Sequence, residues 1–263
     1  MQPDKNSKIY FASDLHLGMY PYNKSRDREK LFVQWLDEKK QDASAFYLLG
    51  DVFDYWWEYK KVIPRGFTRF LGKIAEITDS GIPVYIFSGN HDVWIFDYLP
   101  TELGVTVYHK PQQLEINNKK FYIAHGDGLG PGDKGYKLLK KAFRSKILQW
   151  MFARLHPNFA LALAHAWSKK SRYAKGLREE FKGEDKEYLL HYAKKILKDK
   201  HYDFFIFGHR HLALDVVIQS NSHYINVGDW VTYFSYAEFD GNNVTLKYYT
   251  DEINFSKNYK PLM

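Results

Sequence analysis

Five short stretches carry side chains able to ligate a divalent cation: Asp14-Leu15-His16, Gly50-Asp51-Val52-Phe53-Asp54, Gly89-Asn90-His91-Asp92, His125-Gly126-Asp127 and Gly208-His209-Arg210-His211. Carboxylate, amide oxygen and imidazole are the donors that hard-to-intermediate divalent metals take. Singly, each stretch is commonplace, since Gly-Asp and Gly-Asn usually mark turns. Here each directly follows an apolar run of strand character, and strand ends on a shared sheet bring such ligands to one place.

Two ions ~3.5–4 Å apart need a bridging ligand and several terminal ones. Asp51 is the natural bridge, because a carboxylate has two oxygens and Gly50 permits a tight exit from its strand. The spacing then assigns Asp14, His16, Asp51 and His211 to one ion, and Asp51, Asn90, His125 and His209 to the other. A water held between two such ions loses a proton readily and can attack a phosphorus centre. His91 adjoins Asn90 and is expected to reach the substrate oxygen opposite that water, with Asp54 holding its other ring nitrogen. His91 and Asp54 are thus the candidate catalytic pair, and Asn90, His91 and His209 candidate substrate contacts. Asp92 and Asp127 are expected to orient ligands rather than to be ligands.

The elements that must position these residues follow from periodicity. Lys8 to Ser13, Ala45 to Leu49, Pro83 to Phe87, Lys120 to Ala124 and Asp203 to Phe207 read as strands running into the five stretches. Arg26 to Lys39 and Phe67 to Ile77 have helical spacing, and the alternation of strand and helix predicts a largely parallel sheet. Val105 to Tyr108 and Gln113 to Ile116 are short strands, with Asn117-Asn118 as a hairpin turn into the next. Leu214 to Ile218, His223 to Val227, Phe234 to Phe239 and Val244 to Tyr249 read as antiparallel strands. An α/β fold with two sheets and helices outside is expected, as one domain over 1–263.

Tyr136 to Arg154, Pro157 to Lys175 and Asp185 to Lys198 read as helices between the fourth and fifth motifs. They read either as an ordinary helical layer or, because the motifs resume only after them, as an inserted helical cap at 134–200, the reading preferred here. That segment carries 18 Lys and Arg against 6 Asp and Glu, so the net charge of +7 and the pI near 9.1 belong to it, and the remainder is net acidic. An anionic partner is implied. Trp150, Met151, Phe152, Leu155, Phe159, Leu161, Leu163 and Trp167 lie among Lys140, Lys141, Arg144, Lys169, Lys170 and Arg172. Such a basic amphipathic surface suits an anionic bilayer and can roof an acyl groove; the competing reading is that these apolar residues simply pack the cap. Phe53, Tyr55, Trp56, Trp57 and Tyr59, just past Asp51, are candidates to wall the same groove or to pack the core.

Hydrophobic residues make up 45% of the chain and aromatics 18%, which excludes a disordered class. There is no cysteine, so thiolate metal sites and cysteine nucleophiles are excluded. The polar start of the chain does not read as a secretory signal, and no apolar run reaches the ~18 residues of a spanning helix. The expectation is a soluble or peripheral protein, with no nucleic-acid-binding motif and no obligate protein partner evident.

The series D-x-H, G-D-x-x-D, G-N-H-D, H and G-H-x-H, carried by Asp14 to His211, resembles the calcineurin-like metallophosphoesterases, and the likeness extends over Ile9 to Tyr249. It implies a four-layer α/β/β/α sandwich and a dinuclear centre, most often Mn²⁺, that hydrolyses phosphate esters or anhydrides. His125-Gly126-Asp127, then Asp133-Lys134-Gly135-Tyr136, then a basic helical insertion, is similar to the UDP-2,3-diacylglucosamine hydrolases of lipid A biosynthesis. That resemblance implies cleavage of a pyrophosphate to give 2,3-diacylglucosamine 1-phosphate (lipid X) and UMP, at the cytoplasmic face of the inner membrane. It also implies substrate contacts at Asp133, Ser168 and Lys175. His91 stands where that family often has Arg, and Arg172 where Asn is usual. Two other readings compete: a metallophosphoesterase for nucleotides, phosphodiesters or phosphoproteins, and a basic nucleic-acid- or membrane-binding scaffold without activity. A scaffold would be expected to lose ligands or His91, and this chain keeps them.

Overall fold

The computed structural model describes residues 7–131, 134–164, 166 and 180–249. Its first half alternates: β1 (Lys8–Ala12), α1 (Tyr22–Lys39), β2 (Ala43–Leu48), α2 (Thr68–Asp79), β3 (Val84–Phe87), α3 (Tyr98–Leu103) and β4 (Thr106–Tyr108), as the periodicity predicts except for α3, which it does not mark. β5 (Gln112–Ile116) and β6 (Lys119–Ala124) form a hairpin. Its turn residues Asn117 and Asn118 both have left-handed backbone, as a two-residue hairpin turn requires. Then come α4 (Lys134–Arg144), α5 (Lys146–Phe152), a helical stretch at 157–164, α6 (Tyr188–Leu197), β7 (Phe204–Phe207), β8 (Ala213–Val217), β9 (His223–Val227), β10 (Ser235–Phe239) and β11 (Val244–Tyr248).

Among the described residues the strands form two mixed sheets, ordered β11-β10-β1-β2-β3-β4 and β5-β6-β7-β9-β8. Side chains alternate across a strand, and the central strands of each sheet are buried on both faces. Ile9, Phe11, Ala45, Tyr47, Phe121, Ile123, Phe204, Ile206 and Ile225 share one core between the sheets. Tyr10, Ala12, Phe46 and Leu48 point the other way, onto Phe32 and Trp35 of α1 and Phe70 and Ile74 of α2. Tyr122, Phe205, Phe207 and Tyr224 face Leu189, Leu190 and Ala193 of α6. Each such fully buried large apolar side chain contributes about 1.5–3 kcal/mol.

Three expectations are corrected. The run Tyr136 to Arg154 is two helices, because Ser145 interrupts it and caps α5 by accepting the Leu148 N–H. The C-terminal strands are not one antiparallel set. β9 runs parallel to β7, only β8 is antiparallel to it, and β10 crosses to the first sheet to pair antiparallel with β1. Alternation shows that a strand has two faces but not which neighbour it pairs with.

α1 also starts earlier than its apolar spacing indicated, at Tyr22 just after Pro21. Its inward face carries two buried charged residues. Glu29 accepts the Arg69 and Phe70 N–H groups at the start of α2, and Arg28 reaches the loop after β1.

Candidate metal centre

The loops after β1, β2, β3, β6 and β7 converge at one end of the sheets and are stitched by backbone bonds. Asp14 N–H donates to Gly50 O at 3.1 Å, His16 N–H to Asp51 O at 2.9 Å, and Gly208 N–H to His125 O at 2.9 Å. Gly89 and Gly208 admit no side chain: a Cβ at the first would run into the Asp51 carboxylate, and at the second into Ser13 and Asp14. Five residues of the loops, Asp14, His16, Asp51, His209 and His211, adopt left-handed backbone. Non-glycine residues pay about 1–2 kcal/mol for that, and such strain gathers at functional sites.

Three groups of ligand atoms result: Asp14, His16 and His211; His16, Asp51 and His91; Asp51, His125 and His209, each within 4.8 Å. Asp14 uses Oδ2 to accept the His209 N–H at 2.8 Å. Its Oδ1 is buried with no hydrogen-bond partner, 3.3 Å from His211 Nε2 and 3.7 Å from His16 Nε2. Those two imidazole nitrogens are 3.2 Å apart. Donor atoms about 2.1 Å from a shared ion sit roughly 3.0–3.5 Å from one another; two of the three spacings fall in that range and the third, at 3.7 Å, is slightly wide, so the donor set is close to one that holds a cation. Asp51 likewise spends Oδ1 on the His91 N–H at 2.8 Å. Its Oδ2 lies 3.9 Å from His16 Nε2 and 3.5 Å from His125 Nε2, between the two groups. Asn90 Oδ1 lies 3.4 Å from His125 Nε2. The buried His and Asp groups are consistent with a dinuclear metal site.

The imidazoles are aimed by partners on their other nitrogen. His125 Nδ1–H donates to Leu49 O at 2.7 Å and His91 Nδ1–H to Asp54 O at 2.9 Å. Asp54 thus holds the other ring nitrogen of His91 as expected. Its carbonyl holds His91, while its carboxylate stands 4.0 Å from that nitrogen and 3.5 Å from His16 Nδ1. Asp92 accepts four backbone N–H groups, from Asp51, Val52, Phe53 and Gly89, and so welds the two loops together. Asp127 accepts from Tyr136 Oη at 2.5 Å and Lys140 Nζ at 2.6 Å, tying α4 to the loop after β6.

The electrostatics describe a place that wants positive charge. Burial opposes ionisation of Asp14 and Asp51, yet the imidazoles of His211 and His125 hold them well below the usual carboxylate range. Burial also opposes charge on His16 and His125, but Asp14 and Asp51 raise them to about 9 and about 10. His209, buried beside charged His125, falls to about 4 and stays neutral. Two imidazolium protons thus supply the charge that a divalent cation would replace.

Asp133, Ser168, Arg172 and Lys175 lie outside the described residues. His209 and His91 both border an adjoining cavity of about 540 Å³, with Asn90 and Asp54 beside them. Tyr55 and Trp57 line that cavity, whereas Phe53 and Trp56 belong to the core behind α2. Two contributors were missed from sequence. Arg28 Nε and Nη2 donate to Leu15 O and His16 O at 2.6 and 2.7 Å and hold the first ligand loop from behind. Asp229 Oδ2 lies 2.8 Å from His211 Nδ1. It follows Gly228 at the end of β9, the same strand-then-Gly-Asp pattern that singled out Asp51, so a signal was present.

The calcineurin-like phosphoesterase family model matches residues 7–213. A UDP-2,3-diacylglucosamine hydrolase of Porphyromonas gingivalis is 39% identical over 254 residues, covering 92% of this chain and 97% of its own. One from Histophilus somni is 28% identical over 241 residues, covering 89% and 97%. The strand-end ligand groups and these matches have one conclusion: the chain belongs to the calcineurin-like phosphoesterases, a family of metal-dependent hydrolases.

Proposed function

We propose that the protein hydrolyses the pyrophosphate of UDP-2,3-diacylglucosamine to 2,3-diacylglucosamine 1-phosphate and UMP. The observation that carries this reading is the cavity of about 540 Å³ beside Asn90, His91 and His209. Its walls are aromatic and aliphatic, among them Trp57, Trp94, Phe143, Met151 and Phe152. Its size is that of a ligand pocket, and an apolar wall abutting a phosphoryl-transfer site suits a substrate that joins acyl chains to a phosphoanhydride. The activity named for the relatives supports the same substrate.

In this reading Asp14, His16, Asp51 and His211 hold one ion, and Asp51, Asn90, His125 and His209 the other, most often Mn²⁺ in both. The bound pair supplies positive charge to the phosphoryl oxygens and lowers the pKa of an attacking water. His91 does the chain's own part. Asp54 O fixes its Nδ1–H, which leaves Nε2 to meet the developing charge on the phosphate or the leaving oxygen. Burial holds its pKa down in the free protein, and an anionic oxygen against Nε2 favours the protonated form that donates. Asp133, Ser168, Arg172 and Lys175 are assigned to the substrate on the resemblance alone.

The architecture we infer is a four-layer α/β/β/α sandwich, with 134–200 as its cap. Tyr136 and Lys140 anchor α4 at Asp127, Lys137 Nζ donates to Gly130 O at 2.6 Å, and α6 seats the far end on the second sheet. Ile147, Trp150, Met151 and Phe159 are exposed on it near Lys146 and Arg154. Among the described residues no helix is long and apolar enough to cross a membrane. The reading is of a peripheral protein on the anionic cytoplasmic face of the inner membrane. Sedimentation with anionic but not neutral vesicles is expected, and indifference to both removes the membrane from the proposal.

The deciding assay offers Mn²⁺-loaded protein UDP-2,3-diacylglucosamine beside a small aryl phosphodiester. Release of UMP with the aryl ester barely cut is expected. Cleavage of the aryl ester alone transfers the chemistry to another phosphoester, and failure on both overturns the hydrolase reading.

A further inference from the structure

His125 and His91 are aimed by backbone carbonyls, which no substitution of the partner removes. His211 is different: its Nδ1 lies 2.8 Å from a side chain, Asp229 Oδ2. Asp229 is 2% exposed and fully committed. Its Oδ1 accepts the N–H groups of Val231, Thr232 and Tyr233 at 3.2, 2.7 and 3.0 Å, which locks the carboxylate plane. The next residue closes the frame, since Trp230 N–H donates to Asp14 O at 3.2 Å. The loop after β9 is thereby pinned to the loop carrying Asp14, and Gly228 leaves no room for a Cβ against Ser235.

An ionised carboxylate only accepts, so Asp229 places the His211 proton on Nδ1. The Nε2 lone pair then faces Asp14 Oδ1 at 3.3 Å and His16 Nε2 at 3.2 Å. We propose that Asp229 is a positioning residue that fixes the tautomer and ring direction of His211, so that His211 ligates the first metal position through Nε2. The proposal rests on the metal-site reading above. A carboxylate behind a ligating histidine also raises its basicity, and losing such a partner typically weakens metal binding 10–100-fold.

The competing role for Asp229 is purely structural, as a cap on the turn at residues 230–233. Asp229→Asn separates the two, because the amide oxygen still accepts the three N–H groups while the carboxylate facing Nδ1 is gone. Metal-stripped wild type, Asp229→Asn, His211→Ala and the double variant are titrated with Mn²⁺, reading free ion by electron paramagnetic resonance and metal-free Tm by circular dichroism. Wild type is expected to bind two ions. Asp229→Asn should keep its metal-free Tm within a few degrees and weaken one site about 10–100-fold. Adding Asp229→Asn to His211→Ala should cost nothing further.

Equal affinity in wild type and Asp229→Asn overturns the proposal, as does a further loss in the double variant. Should Asp229→Asn unfold, nitrogen-15 spectra of Zn²⁺-loaded wild type decide instead. A His211 proton on Nδ1 upholds the proposal, and one on Nε2 overturns it. Wild type that binds no ion overturns the metal reading itself, a result distinct from either.

Discussion

The backbone N–H of His91 donates to Asp51 Oδ1 at 2.8 Å. The residue proposed to face the leaving oxygen and the carboxylate that lies between the two ligand groups are thus locked to each other, although their positions in the chain are 40 apart. The tasks proposed for their side chains differ, so their substitutions should fail differently. His91→Ala should retain full metal content and lower kcat by about 10²–10⁴, the usual worth of a positioned acid. Asp51→Asn should abolish turnover together with metal uptake, with circular dichroism unchanged. Full activity in either variant removes the proposed chemistry.

Loading the metal-free protein at pH 7.5 should release protons. His16 and His125 are held near 9 and near 10, above the ordinary imidazole value, so both are charged at that pH before metal arrives. Ligation needs neutral imidazole. Apparent affinity should therefore rise as pH rises from 7 toward 9. Calorimetry in two buffers of different ionisation enthalpy measures the proton count directly. A count of zero contradicts the charge arrangement.

The cavity should discriminate by substrate length. Phe152 packs on Trp57 with ring centroids 4.5 Å apart and lines the cavity. Phe152→Ala should lower kcat/KM for the diacylated substrate about 10–100-fold, as loss of one apolar contact of this size does. Hydrolysis of a small aryl phosphodiester should change less than threefold. An equal loss on both substrates would show that Phe152 supports the fold rather than the acyl group.

Arg28 should matter for stability before it matters for chemistry. Arg28→Met keeps the packing but strands the carbonyls of Leu15 and His16, whose donors are charged and buried. A loss of about 2–4 kcal/mol follows, which lowers Tm by roughly 5–15 °C in a chain of this size. A melting curve on metal-free protein checks this, and an unchanged Tm would show that the loop holds itself.

The clustering of Asp14, His16, Asp51, His125, His209 and His211 was legible because oxygen and imidazole donors at strand ends are rare in combination. The strands were legible because both faces are buried, which leaves unbroken runs such as Phe204 to Phe207. Arg28 was not legible, since its position on α1 is that of any exposed arginine, and only the fold turns that face inward. The break at Ser145 was available in principle, because serine before a helical run is an N-cap, but an apolar period carried across it hid the stop. The pairing of Asp54 with His91 was legible from their motifs but its atom was not, since the bond comes from a carbonyl that every residue type possesses.

Left-handed backbone at Asp14, His16, Asp51, His209 and His211 has a consequence for anyone evolving this protein. Glycine at any of the five would relax its loop and remove a donor in the same step. Selection for heat tolerance and selection for turnover therefore pull these positions in opposite directions. A library screened on melting temperature alone will discard the centre first and report the outcome as an improvement.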